Sequence, residues 1–106
     1  GIEILSNLEF LNCTSNKVSS LRSIKNLPNL KTLIIRDNDL VNLAGVEEIE
    51  ELEYLNALYN QKLRSIAGVE DSENLQVLCV PNYKTRIIKQ LEKLRKANPN
   101  VEVKNV

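Results

Sequence analysis

Leu30-Lys-Thr-Leu33-Ile-Ile35-Arg-Asp-Asn38-Asp-Leu40, running on through Val41 to Glu51, is the stretch that decides the fold. Its frame is L-x-x-L-x-L-x-x-N-x-L, and the frame recurs on both sides. Upstream stand Leu8, Leu11, Cys13, Asn16 and Val18, then Leu21, Ile24 and Leu27. In the central unit Leu43, Val46 and Ile49 follow Leu40. Downstream stand Leu52, Leu55, Ala57, Asn60 and Leu63, then Ile66, Val69 and Ser72. A fourth unit opens with Leu75, Leu78 and Val80 and then leaves the pattern. The periods are 22, 22 and 23 residues, counted from Leu8 to Leu30, Leu52 and Leu75. The extra residue falls between Asn60 and Leu63, where a small bulge is expected.

Each part of the frame has a physical reading. Leu33 and Ile35 are two apart and so point to one side of a strand. One short strand per unit stacks on the next as a parallel sheet. Asn38 ends its strand, and its amide can bond backbone groups of its own turn and of the neighbouring unit that stacking would otherwise bury unpaired. Asn16, Asn38 and Asn60 should form a ladder. Leu43, Val46 and Ile49 are spaced three apart, which suits a 3₁₀ or irregular return better than an α-helix. The acidic run Glu47, Glu48, Glu50, Glu51 and Glu53 reads as a solvated convex face.

This frame resembles the leucine-rich-repeat family, whose units run to roughly 20–29 residues. The unit length and the turns Gly45-Val46-Glu47 and Gly68-Val69-Glu70 are similar to internalin-like and phosphatase-regulator-like repeats. The resemblance covers residues 1 to about 83. It implies an α/β repeat solenoid: a right-handed superhelix with a parallel concave sheet of four or five short strands, 3₁₀ or irregular convex turns, and a C-terminal capping helix and strand. The chain then reads as one domain, with a partial repeat at 1–7, full repeats at 8–29, 30–51 and 52–74, and a last strand with its cap at 75–106.

The two ends differ. Gly1-Ile2 aligns with Gly45-Val46, so the sequence is expected to open inside the convex half of a repeat, without the polar cap that terminal repeats need. An earlier segment, a partner or a preceding domain would cover that end. At the other end Thr85 is a candidate N-cap for a helix over about 85–97. Ile87, Ile88, Leu91 and Leu94 form its apolar stripe, and Asn98-Pro99-Asn100 stops it. Val101 and Val103 alternate like a strand at about 101–104 and are expected in the strand slots of a fifth unit.

Composition narrows the function. The chain has 106 residues and four aromatics (Phe10, Tyr54, Tyr59, Tyr83), so the core must be Leu, Ile and Val. Without histidine there is no Ser-His or Cys-His pair and few routes to a zinc site, and three glycines make no phosphate loop. The sequence therefore offers no catalytic residue, cofactor site or metal site, and a non-enzymatic role is expected. Asp37 and Asp39 read as solvated turn residues. Cys13 takes an inward slot and Cys79 an outward one, three strands apart, too far for a disulfide. The sequon Asn12-Cys-Thr14 lies in a strand, an awkward acceptor. No apolar run approaches the ~18 residues of a membrane helix, and a reducing, cytosolic setting is expected.

The outward strand positions carry the functional reading. They form columns: Phe10, Thr32, Tyr54 and Val77; Asn12, Ile34, Asn56 and Cys79; Thr14, Arg36, Leu58 and Pro81; Ser15, Asp37, Tyr59 and Asn82. Phe10, Ile34, Arg36, Tyr54, Leu58, Tyr59, Val77 and Cys79 together have the makeup of an interface centre, apolar groups with Tyr and Arg. A protein partner on the concave face is the leading expectation. Residues 1–83 hold seven basic and twelve acidic residues, a net of −5, and residues 84–106 seven basic and two acidic, a net of +5. That asymmetry supplies an alternative: docking to a ribonucleoprotein or larger assembly through Lys84, Arg86, Lys89, Lys93, Arg95, Lys96 and Lys104. A further alternative is the terminal repeat segment of a larger sensor or effector.

Overall fold

The computed structural model describes residues 7–24 and 26–105. The opening segment expected as a partial repeat lies outside these residues except for Asn7.

Among the described residues the sheet has five three-residue strands: β1 (Phe10–Asn12), β2 (Thr32–Ile34), β3 (Tyr54–Asn56), β4 (Val77–Cys79) and β5 (Glu102–Lys104). They pair in chain order, every neighbour parallel. The register sets Leu11, Leu33, Leu55, Leu78 and Val103 side by side along the inner face. Leu33, Leu55 and Leu78 are completely buried, and Leu11 and Val103 pack at the two edges of the core. The strands are short because the chain bends just beyond them. Ser15, Asp37 and Tyr59 hold φ of 60°, 52° and 63° in three successive repeats, each directly before the repeat's Asn. A left-handed residue there turns the backbone so that the Asn side chain faces inward.

The convex side is a chain of i→i+3 backbone bonds, the period that the spacing of three anticipates. Ile24, Leu27 and Leu30 N–H donate in turn to Leu21, Ile24 and Leu27 carbonyls at 2.9, 3.3 and 3.2 Å. The same steps run from Leu43 through Val46 and Ile49 to Leu52, and from Ile66 through Val69 and Ser72 to Leu75. Three residues per turn return every third side chain to the core. The 3₁₀ segments proper are Leu21–Ser23, Val46–Glu48 and Val69–Asp71. Gly45 and Gly68 start the second and third with φ of 99° and 105°, a conformation that only glycine adopts without strain.

The asparagine ladder is uneven. Asn60 is fully buried; its Nδ2 donates to Ile35 O, Ala57 O and Leu58 O at 3.0, 2.9 and 3.4 Å, and its Oδ1 accepts from Leu40 N at 3.1 Å. Asn38 repeats this with Cys13 O, Ile35 O and Arg36 O, and accepts from Val18 N. Asn16 is exposed and, among the described residues, bonds only Cys13 O and Thr14 O of its own turn. Beyond Asn60 the rung is lost. It is resumed one residue past β5, where Asn105 Nδ2 donates to Val80 O at 2.9 Å. The extra residue after Asn60 forms a tight turn closed by Leu63 N–H on Asn60 O at 3.0 Å.

One convex position breaks the apolar rule. Ser72 occupies the place of Ile49, is 7% exposed, and its hydroxyl has no hydrogen-bond partner among the described residues. A buried unpaired hydroxyl is destabilising. Ser72→Ala should therefore raise stability by about 1 kcal/mol, read as a higher urea midpoint with unchanged slope. A lower midpoint would show that the hydroxyl is bonded in solution.

The C-terminal cap is helix α1 (Thr85–Ala97), whose buried residues Ile87, Leu91 and Leu94 close the end of the core. Two expectations are corrected here. The N-cap is Lys84, extended and without a side-chain cap bond, and Thr85 is the first helical residue. The β5 register is also shifted: Val103, not Val101, lies beside Leu78, a step of 25 residues. The helix needs more chain than a 3₁₀ return, so Val101 falls before the strand and only flanks the core. Ile88 stands 40% exposed and sits outside the buried stripe.

Candidate functional site

The ladder places the outward side chains in rows. Phe10, Thr32, Tyr54, Val77 and Glu102 share one register, and Asn12, Ile34, Asn56, Cys79 and Lys104 the next. Phe10 is 56% exposed and Tyr59 61%, while Ile34, Arg36, Tyr54 and Val77 are partly covered. Leu58 and Cys79, expected to face a partner, are buried. Tyr54 accounts for Cys79: its hydroxyl accepts from Cys79 Sγ at 3.7 Å and Asn56 Nδ2 at 3.4 Å, so the ring lies across both. Leu58 lines the base of a cavity bounded by larger neighbours. Neither side chain is a surface anchor.

The surface that remains mixes apolar groups with Arg36, exposed polar residues on β1 and its turn, and the charged pair Glu102 and Lys104 on β5. Arg36 stacks on Tyr59, its guanidinium carbon 5.0 Å from the ring centroid. Asp37 is held by Ser15, whose hydroxyl donates to Asp37 Oδ2 at 2.9 Å. Asn12 Oδ1 accepts from Thr14 N–H and Oγ1 at 3.0 and 2.6 Å, which fixes the tip of β1. The hydrogen bond from Cys79, with partial burial, pushes the Tyr54 phenol up from its ordinary value, so it stays neutral. Burial likewise pushes the Cys13 thiol up, against the character of a nucleophile. Both cysteines are free thiols. Among the described residues no three His, Cys, Asp or Glu side chains converge as a metal site.

The sequence reading missed one cavity. It is about 590 Å³ and opens where the chain leaves β3, β4 and β5. Leu58 and Pro81 form its buried base, and the exposed rings of Tyr59 and Tyr83 stand beside it. Gln61, Asn82 and Asn105 complete the lining. Lys84 Nζ lies 5.9 Å from the Tyr83 centroid and donates to Gln61 O at 3.0 Å. A faint signal existed: Tyr83 falls one period after Asn60, in the slot where the ladder breaks.

The basic residues of the cap separate into groups. Arg86, Lys89 and Lys93 line one shallow cavity on α1 with Thr85 and Gln90. Arg95 and Lys96 are exposed in the last turn, and Lys104 faces Glu102 at 3.7 Å. No described helix is long and apolar enough to cross a membrane.

No family model matches the chain, and no curated protein matches it. Solved structures do. A leucine-rich-repeat protein of Leptospira interrogans superposes with a TM-score of 0.62 at 22% identity, over 98% of this chain and 33% of that one. Internalin C2 of Listeria monocytogenes superposes with a TM-score of 0.53 at 16% identity, over 95% of this chain and 52% of that one. The chain thus spans about a third and about half of these two proteins. With the stacked parallel strands, 3₁₀ returns and Asn rungs described above, the likeness establishes that this chain has the leucine-rich-repeat fold.

Proposed function

We propose that the chain is a non-enzymatic protein-interaction module that holds a protein partner against its concave face. The observation that carries this is the outward set Phe10, Ile34, Tyr54, Val77 and Tyr59 with Arg36 stacked on Tyr59, on strands where a merely solvated sheet would mostly present charges. Aromatic rings, aliphatic groups and an arginine are the side chains that dominate binding energy at interface centres. A curved sheet rigidified by buried Asn rungs presents them with little ordering left to do on binding. Replacing Phe10 and Ile34 together by Ala should weaken binding of the partner retained from extracts of the producing cells by roughly 30-fold, as loss of an interface hot spot does. Unchanged retention by a folded variant would overturn the concave-face reading.

A second reading has one observation behind it. Arg86, Lys89 and Lys93 face a common cavity on α1 and form no ion pair with a described carboxylate. Such a stripe fits docking to phosphate-rich partners in a larger assembly, and binding through it should fall steeply with salt. A salt-insensitive complex would exclude it.

A further inference from the structure

We propose that the cavity between Tyr59 and Tyr83 is a peptide-recognition pocket for an acidic, proline-bearing extended segment of a partner protein. The proposal rests on the concave-face reading for Arg36 and Tyr59, and it adds Leu58, Tyr83, Asn82 and Lys84, which that reading does not use.

The lining specifies the middle of the ligand. Two exposed tyrosine rings over a base of Leu58 and Pro81 form an aromatic-sided slot without a charged side chain in it. Aromatic-lined grooves are the surfaces on which proline-rich segments dock. Proline in the polyproline II conformation brings a flat apolar ring and a backbone already extended, so little entropy is lost on binding. That backbone has no internal hydrogen bonds, and its carbonyls need donors. The side-chain amides of Asn82 and Gln61 are exposed at the pocket and engaged by no described group. Asn105 has its Nδ2 committed to Val80 O, which leaves Oδ1 free to accept from the ligand.

The flanks specify the charge. Arg36 stacks on one ring and Lys84 on the other, at 5.0 and 5.9 Å from the centroids. Neither forms an ion pair with a described carboxylate. Asp37, next to Arg36 in sequence, is engaged by Ser15. A neutral slot with a cation against each of its two rings is complementary to an apolar core with carboxylates flanking it. A basic proline-rich segment would meet like charge at both ends.

The test is a titration of the isotope-labelled 106-residue chain with a synthetic peptide of repeated Glu-Pro-Pro, followed by amide NMR shifts. Saturable shifts should centre on Tyr59, Asn82, Tyr83 and the Asn105 side chain. Tyr83→Ala, a change at an exposed ring, should weaken binding by about tenfold or more. Asn82→Asp, which places a like charge at the pocket, should do the same without removing an aromatic. Peptides with Lys for Glu, or Ala for Pro, should bind at least about tenfold more weakly. Equal binding of either control, shifts elsewhere than this cavity, or no shifts at millimolar peptide would each overturn the proposal. The Phe10→Ala, Ile34→Ala variant should titrate normally. If it also keeps its cellular partner, the concave reading fails while the pocket stands; if Glu-Pro-Pro fails while that variant loses its partner, the pocket alone fails.

Discussion

Asn60→Ala should lower the unfolding free energy by about 3 kcal/mol, whereas Asn16→Ala should change it by no more than about 0.5. The two residues hold the same place in the repeat frame, so the contrast isolates burial. Asn60 is fully buried and serves two repeats: it accepts from Leu40 N and donates to Ile35 O across the interface while closing its own turn on Ala57 O. Alanine leaves those backbone groups unpaired where water does not reach, each a loss of about 1–3 kcal/mol. Relaxation of the turn closed by Leu63 N on Asn60 O offsets part of the sum. Asn16 is exposed, so water replaces its bonds to Cys13 O and Thr14 O. Asn38, with the same bond pattern at 6% exposure, should fall between them and nearer Asn60. Urea unfolding of the three variants checks the order. Equal losses at Asn16 and Asn60 would show that the turn, not the cross-repeat bond, is what the side chain stabilises.

The same contrast shows what the sequence reveals and what it hides. Strand rows and the core are legible because period-two alternation and a nearly constant repeat fix which residues neighbour which. Phe10, Thr32, Tyr54 and Val77 stand in register as their spacing requires. Exposure is not legible in that way. Cys79 occupies an outward slot and is still buried, because the ring of Tyr54, one strand over, reaches across it. Nothing in the frame states the direction of a neighbour's side chain. The last repeat is hidden for another reason. Once a helix replaces the 3₁₀ return the period stretches, so Val103 rather than Val101 meets Leu78, and the Asn rung moves to Asn105. Tyr83 takes the slot of the lost Asn rung and Asn105 lies past the stretched period, so the frame does not bring them together with Tyr59 and Asn82 in one pocket.

Leu91→Ala should cost about 3 kcal/mol, from the range of about 2–5 for a buried leucine, and its effect should be local in a way that the Asn60 effect is not. Leu91 is 2% exposed and lies between Ile87 and Leu94 on the face of α1 that closes the core. The helix is also pinned to the third convex return: Gln90 Oε1 accepts from Ile66 N at 2.7 Å, and its Nε2 donates to Ser65 Oγ at 2.9 Å. Those bonds survive the substitution, so the helix should remain docked over a cavity. In a stack where each repeat touches only its neighbours, stability is a sum of repeat and interface terms. A weakened cap therefore acts first on β4 and β5. Amide exchange of Val80, whose N–H donates to Lys104 O, should accelerate before that of Ile35, bonded to Asn56 O in the middle of the sheet. Equal acceleration at both would mean that the described repeats unfold as one unit. That outcome would make the cap a condition for the whole stack, including the outward set with Arg36 and the pocket at Tyr59, and not only a cover for its last layer.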